Sequence, residues 1–233
     1  MFDIAELYKD LFAHDINNIL QNINTTVEII SQSNEGFKNA ERLKEVISLT
    51  KDQIIRGSKL VYNVRKISQI SQTGNIFKPK EVFQVLSDAK DFILKSFPDK
   101  SISITLDSQI NTFYVQANDF LQDLFENLLL NSVRHNLNPE IEIQIKISNE
   151  VLKNKENIKI EFMDNGIGIS DAMKEVIFED GIKRNKSSKG MGLGLLLVKN
   201  IVDSYGGKIL VDDKIKGDHS KGSNFIILLP EGR

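Results

Sequence analysis

MDNGIGI, residues 163–169, begins on the last residue of an alternating run, NIKIEFM (157–163), and sets Asp164 at its end with Gly166 and Gly168 behind it. Alternation of apolar and polar residues is the mark of a strand with one buried face. The stretch therefore reads as a strand ending in a glycine loop that carries a carboxylate. Such a carboxylate can accept a hydrogen bond from an exocyclic amine, and the glycines let a flat ligand approach. Asp-Asn-Gly is also ordinary turn chemistry, so the stretch alone is a weak signal.

Working outward, EIEIQIKI (140–147) alternates in the same way, and NEVLKNKEN between the two runs reads as a turn. ISITL (102–106), FYV (113–115), KILVDD (208–213) and NFIILLP (224–230) are further strand candidates. Residues 81–97 read as a helix ended by Pro98, and DFLQDLFENLLLNSVRH (119–135) as a helix capped by Asn118. Another helix follows Gly194. Helices and strands mixed around antiparallel hairpins predict an α/β sandwich over 81–233, with helices on one face of the sheet.

Within ENLLLNSVRH (126–135), Asn127, Asn131 and Arg134 fall on one helical face at i, i+4 and i+7. Two amides there can offer oxygens to Mg2+, while Arg134 reaches a phosphate. A merely polar helix face is the plainer alternative. KGMGLGLLLVKNIV (189–202) opens a helix with Gly190, Gly192 and Gly194, leaving N–H groups and the positive dipole end free for an anion. The pattern is neither a dinucleotide-binding fingerprint nor a Gly-Lys-Ser/Thr phosphate loop. GIKRNKSSKG (181–190) places Lys183, Arg184, Lys186 and Lys189 between the two glycine stretches, which suits a basic lid over phosphates better than a solvated loop.

Residues 1–72 have another texture, with no proline and only Gly36 and Gly57. Ile16, Leu20, Ile23, Val27 and Ile30 form a heptad stripe, and Ala40, Leu43, Ile47, Ile54, Val61 and Val64 a second, with SNEG (33–36) as the turn between. Two long arms cannot cover both stripes alone, so the hairpin predicts a dimeric four-helix bundle. TGNIFKPK (73–80) is read as the linker. His14 falls off the stripe onto the polar side, with Asp15 beside it and Asn18 one turn on.

Composition bounds the function. A net charge of −2 gives no nucleic-acid footprint, and the absence of cysteine excludes disulfides and thiolate metal sites. No apolar run approaches a membrane span and no signal peptide is visible, so a cytoplasmic location is expected.

Asn-x-x-x-Asn, Asp-x-Gly-x-Gly and Gly-x-Gly-x-Gly, in that order, resemble the N, G1 and G2 boxes of sensor histidine kinases, on the ATP-binding fold shared with gyrase and mismatch-repair ATPases. Phe178 in IFEDG resembles the F box, and GSNFIILLP (222–230) the family's final Gly-Ser/Thr and strand. Residues 1–72 resemble its dimerisation and phosphotransfer hairpin, with AHDINNIL (13–20) as the H box.

The resemblance implies an α+β protein, a helical hairpin followed by the ATP-binding sandwich, using ATP and Mg2+. Asp164 would read the adenine amine, with Gly166 and Gly168 beside it. Asn131 with Asn127 would hold Mg2+. Arg134 and His135 would contact phosphates and ribose. Lys183 and Lys186 of the lid, and Gly190, Gly192, Leu193 and Gly194, would wrap the phosphates.

His14 would be the phosphoacceptor. A neutral imidazole, with a pKa of about 6.5, keeps a lone pair for attack, and Asp15 can hold its other nitrogen. Asn18 would orient a water that dephosphorylates the response regulator's receiver domain, the implied partner besides the homodimer.

Ile19 stands where many relatives have proline, which predicts a straighter helix. Gly181-Ile182 and Met191 also depart from the usual pattern. A phosphatase-biased protein or a non-catalytic phosphotransfer scaffold is the alternative. An ATP-hydrolysing clamp is disfavoured, because Asn127 occupies the general-base position and an amide cannot take a proton. Only about ten residues precede the H box, so the expectation is a core from a longer protein or a kinase driven by a partner.

Overall fold

The computed structural model describes residues 4–32, 40–72, 76–108, 112–152, 155–178 and 193–232. The SNEG turn, residues 73–75, the lid lysines Lys183 and Lys186, and Gly190 and Gly192 lie outside them, as do the side chains of His14, Asp15 and Leu193. The described residues fall into two compact units, helical up to Gln69 and α/β from Ile70 onward.

The first unit is a pair of long helices, α1 (Ile4–Gln32) and α2 (Ala40–Gln72). Helix α1 runs unbroken past Ile19. Thr50 Oγ1 donates to Thr26 Oγ1 at 3.0 Å and Asn22 Nδ2 to Gln53 Oε1 at 3.4 Å. Ile19 packs 3.5 Å from where a Cβ on Gly57 would stand. These pairings run in opposite directions along the two helices, which makes the hairpin antiparallel. Among the described residues of these helices the buried positions are Ile19, Val46, Leu60, Asn63, Ile67 and Ile70, beside the predicted stripes rather than on them. Leu20, Val27, Ile47, Ile54 and Val61, all stripe residues, stay 42–57% exposed. A single chain thus closes one seam and leaves much of both heptad stripes exposed, while Ile16, Ile23, Leu43 and Val64 are half-buried.

The second unit starts earlier than the predicted boundary. Residues 78–80, read as linker, belong to strand β1 (Lys78–Glu81), which pairs antiparallel with β3 (Tyr114–Ala117). Pro79 fits there because an edge strand does not need every N–H. The main sheet has five strands in the order β2 (Ser101–Ser108), β4 (Glu140–Leu152), β5 (Lys155–Asp164), β7 (Asp218–Pro230), β6 (Lys208–Ile215). Among the described strands, β2 and β4 pair in parallel and the other neighbours are antiparallel. The β4–β5 ladder extends to Leu152↔Lys155, through residues read as a turn.

Alternation places Ile141, Ile143, Ile145, Ile147, Ile158, Ile160, Phe162, Phe225, Ile227 and Leu229 on the covered face, all at most 3% exposed. Helices α3 (Val82–Ser96), α4 (Phe120–Arg134) and α6 (Leu193–Ser204) supply the apolar layer over it. In α3, Val82, Leu86, Ala89 and Ile93 recur at helical spacing, and Glu81 caps the first turn by accepting from Phe83 N and Gln84 N. In α4, Phe125 meets Phe162 of the sheet with ring centroids 5.8 Å apart. Asn118 Oδ1 accepts from Phe120 N at 3.1 Å, the expected cap, although the helix proper begins after Asp119. The sandwich expected from the alternation, and the helical hairpin followed by a mixed sheet domain that the resemblance implies, are the architecture observed.

Candidate nucleotide-binding site

Strand β5 ends at Asp164, whose carboxylate is buried at 4% exposure. A buried carboxylate is costly unless donors surround it. Oδ1 accepts from Gly166 N at 2.8 Å and Ser223 N at 3.3 Å, and Oδ2 from Ser223 Oγ at 2.6 Å. Ser132 Oγ, on α4, lies 3.4 Å from Oδ2 and 3.3 Å from Leu128 O. A hydroxyl has one proton and serves one of these acceptors at a time. With Ser132 turned to Leu128, Oδ2 keeps a lone pair for an incoming amine. The residues therefore fit a purine carrying an exocyclic amine.

The surrounding wall is backbone packed on backbone. A Cβ on Gly166 would stand 2.7 Å from His135 O and 2.9 Å from Asp164 Oδ1. Gly168, at φ +69°, lies against His219 O of β7, and Gly222, at φ +114°, against Asp164 O. An L side chain is excluded at these last two positions by both conformation and space.

Helix α4 forms the other side. Asn127 is 7% exposed, and its Nδ2 donates to Asp123 O at 2.8 Å, which turns Oδ1 toward Gly194 at the start of α6. Asn131 is half-buried one turn further on, and Arg134 and His135 are exposed at the helix end. Partial desolvation lowers the Arg134 guanidinium from its usual value, yet it stays cationic. His135 closes the helix and its carbonyl accepts from Ile167 N at 3.1 Å.

Amide oxygens are hard donors of the kind Mg2+ accepts, so Asn131 and Asn127 suit that ion. Beyond Gly168, α5 (Asp171–Lys174) is tied to β6 by Lys174, whose Nζ contacts Asp171 Oδ1 at 2.7 Å and Asp213 Oδ1 at 2.5 Å. Both carboxylates, Asp171 first, raise the lysine above its ordinary value. Phe178 packs edge-on against Phe225 of β7, centroids 6.2 Å apart.

The structure thus brings Asp164, Gly166, Gly168, Asn127, Asn131, Arg134, His135 and Gly194 into one α/β unit. Gly190, Gly192, Lys183 and Lys186 lie outside the described residues, as do the side chains of His14, Asp15 and Leu193; Asn18 is an exposed residue of α1. Ser132, Asn136, Asn138, Asn165 and Ser223 were not assigned roles from sequence. The signal for Ser223 was present in the Gly-Ser pair before the last strand. Asn165 reads as part of an Asp-Asn-Gly turn and Ser132 as part of a helix, while nothing in the local pattern marks Asn136 or Asn138.

Residues 116–233 match the family described as histidine kinase-, DNA gyrase B-, and HSP90-like ATPase. The autoinducer 2 sensor kinase/phosphatase LuxQ of Vibrio vulnificus is 28% identical over 233 residues, covering 94% of this chain and 25% of that protein. The sensor protein kinase WalK of Staphylococcus aureus is 23% identical over 94% of this chain and 52% of its own length. The chain therefore spans a quarter to about half of these relatives. Among solved structures, the Acinetobacter baumannii histidine kinase AdeS shares the fold over 94% of this chain and 98% of its own, with a TM-score of 0.65 at 19% identity. Among the described residues, no helix is long and apolar enough to cross a membrane. With a matched region covering half the sequence and the buried Asp164 carboxylate, glycine wall and asparagine helix in place, the chain belongs to the histidine kinase-, DNA gyrase B-, and HSP90-like ATPase family.

Proposed function

We propose that this chain is a histidine kinase core that binds Mg-ATP in the α/β unit and transfers its γ-phosphoryl group to His14. The buried Asp164 carboxylate, fixed by Ser223 beside a wall of glycines, carries the reading. A chain that only scaffolds phosphotransfer has no need to bury a carboxylate against the cost of desolvation.

Asp164 accepts the adenine amine, and Arg134 and His135 meet phosphates and ribose. Asn131 and Asn127 would hold Mg2+, which supplies charge neutralisation on the triphosphate when bound. One imidazole nitrogen of His14 attacks the γ-phosphorus in line as the bond to the ADP oxygen breaks and ADP leaves. Asp15 holds the proton of the other nitrogen. The lid lysines Lys183 and Lys186, with the loop through Gly190, Gly192 and Leu193, close on the phosphates.

The phosphoryl group then passes to an aspartate of a response regulator receiver domain, and Asn18 serves the reverse dephosphorylation. A homodimer through the hairpin, in the cytoplasm, completes the assembly. Its support is the run of stripe residues, Leu20, Val27, Ile47, Ile54 and Val61, left exposed in one chain.

The test is incubation of the whole chain with labelled ATP and Mg2+. An acid-labile, alkali-stable label is expected on the wild type and absent from His14→Gln. A label that survives His14→Gln refutes the assignment.

A further inference from the structure

Asn165 stands between the base-reading Asp164 and Gly166, and a turn asparagine there would normally bond its own backbone two residues on. It does not. Asp164 Oδ1 takes Gly166 N and makes the local turn itself. The Asn165 amide instead reaches more than twenty residues back along the chain. Its Oδ1 accepts from Asn136 Nδ2 at 2.6 Å and from Glu142 N at 2.9 Å, and its Nδ2 donates to Glu140 O at 3.0 Å.

The main chain of Asn165 is held as well. Its N–H donates to Glu142 O at 3.2 Å, and its carbonyl accepts from Asn138 Nδ2. Asn136, 5% exposed, is braced in turn by Asn138 N, which donates to Asn136 Oδ1 at 3.0 Å. One amide thereby joins three pieces: the Asp164 loop, the segment leaving α4, and the start of β4.

Those pieces carry opposite ends of the nucleotide in the proposed reading. The loop holds the group that meets the base. Helix α4 holds Asn127, Asn131 and Arg134 at the phosphate end. We infer that Asn165 is a positioning residue that sets where Asp164 meets the base relative to α4. This rests on the nucleotide reading above. The short side chain must accept twice at one atom and donate from another, which an amide does and a hydroxyl, with a single polar atom, does not. Aspartate has the same shape but cannot donate to Glu140 O, and faces that carbonyl with a charge.

The experiment is calorimetric titration of the whole chain with Mg-ADP and with Mg-GDP, for wild type, Asn165→Asp and Asn136→Ala. The wild type is expected to favour ADP. Asn165→Asp should weaken ADP roughly tenfold, about the worth of one lost charge-free hydrogen bond, and GDP less than about twofold. Asn136→Ala should weaken ADP about threefold in the same pattern, and stoichiometry should stay unchanged for both. Damage to folding would lower stoichiometry and weaken both nucleotides together. ADP affinities within twofold of wild type, or parallel losses for ADP and GDP, overturn the inference while leaving the nucleotide site standing. A wild type that binds neither nucleotide overturns the site itself, and the inference with it.

Discussion

Replacing Ser223 by alanine removes the shortest donor to the buried Asp164 carboxylate, at 2.6 Å, and leaves the backbone in place. Three donors remain at 2.8, 3.3 and 3.4 Å, and the last of these is shared with Leu128 O. A hydrogen bond to a charged, buried group is worth about 2 kcal/mol net. For a unit of this size each kcal/mol moves the midpoint by about 2–4 °C, so Ser223→Ala should melt about 4–8 °C lower. Ser132→Ala loses only a long, divided bond and should cost about 0.5 kcal/mol. Ser223→Thr keeps the hydroxyl and should lose less than half as much as alanine. The assay is scanning calorimetry on the whole chain, with the relevant transition identified by its upward shift in ADP. If Ser223→Ala melts within about 1 °C of wild type, or above Ser132→Ala, the reasoning about the carboxylate is wrong.

Tyr205 is buried, and its hydroxyl donates to Asn118 Oδ1 at 2.7 Å, at the start of the helix that carries Asn127 and Asn131. Burial pushes the phenol above its usual value, so the native state keeps a proton that the unfolded chain releases. Its contribution is therefore complete below pH ~10 and is lost as the pH rises further. Tyr205→Phe should cost about 1 kcal/mol at pH 8 and flatten the fall in urea midpoint between about pH 9 and 11. An equally steep fall in the variant would refute it. Ile54, 53% exposed on the uncovered stripe of α2, should be covered by a second hairpin, which adds about 1 kcal/mol of burial per half-exposed aliphatic residue. Ile54→Glu should convert dimer to monomer by static light scattering without moving the α/β melting transition, and an unchanged particle mass would sink the dimer face.

Sequence revealed most where local pattern and tertiary burial coincide. The isoleucines of 141–147 alternate because one face of β4 is covered, and the sheet follows from that alone. The glycines at 166 and 168 marked a loop for reasons that the packing against His135 and His219 makes concrete. What escaped was nonlocal. Residues 78–80 looked like linker because their partner strand is more than thirty positions away, and nothing in Lys-Pro-Lys signals pairing. The parallel pairing of β2 with β4 has no local signature either. Ser132 and Asn136 serve the site only because α4 and β5 end side by side. In the hairpin, the heptad stripe predicted an apolar face correctly but not which face one chain closes on itself. Ile19, beside the stripe, fills the space over Gly57 instead.

The wall next to Asp164 contains almost no side-chain atoms, since Gly166, Gly168 and Gly222 meet the carbonyls of His135, His219 and Asp164. Its shape is thus written in very few letters: three positions that must lack a Cβ, and one carboxylate with its serine. His219 and His135 meet this wall through their carbonyls, atoms that every residue shares. Such a pocket carries its specification as spacing rather than as text. A specification of that kind tolerates wide divergence in the surrounding letters, because it needs only the spacing and the absence of three Cβ atoms.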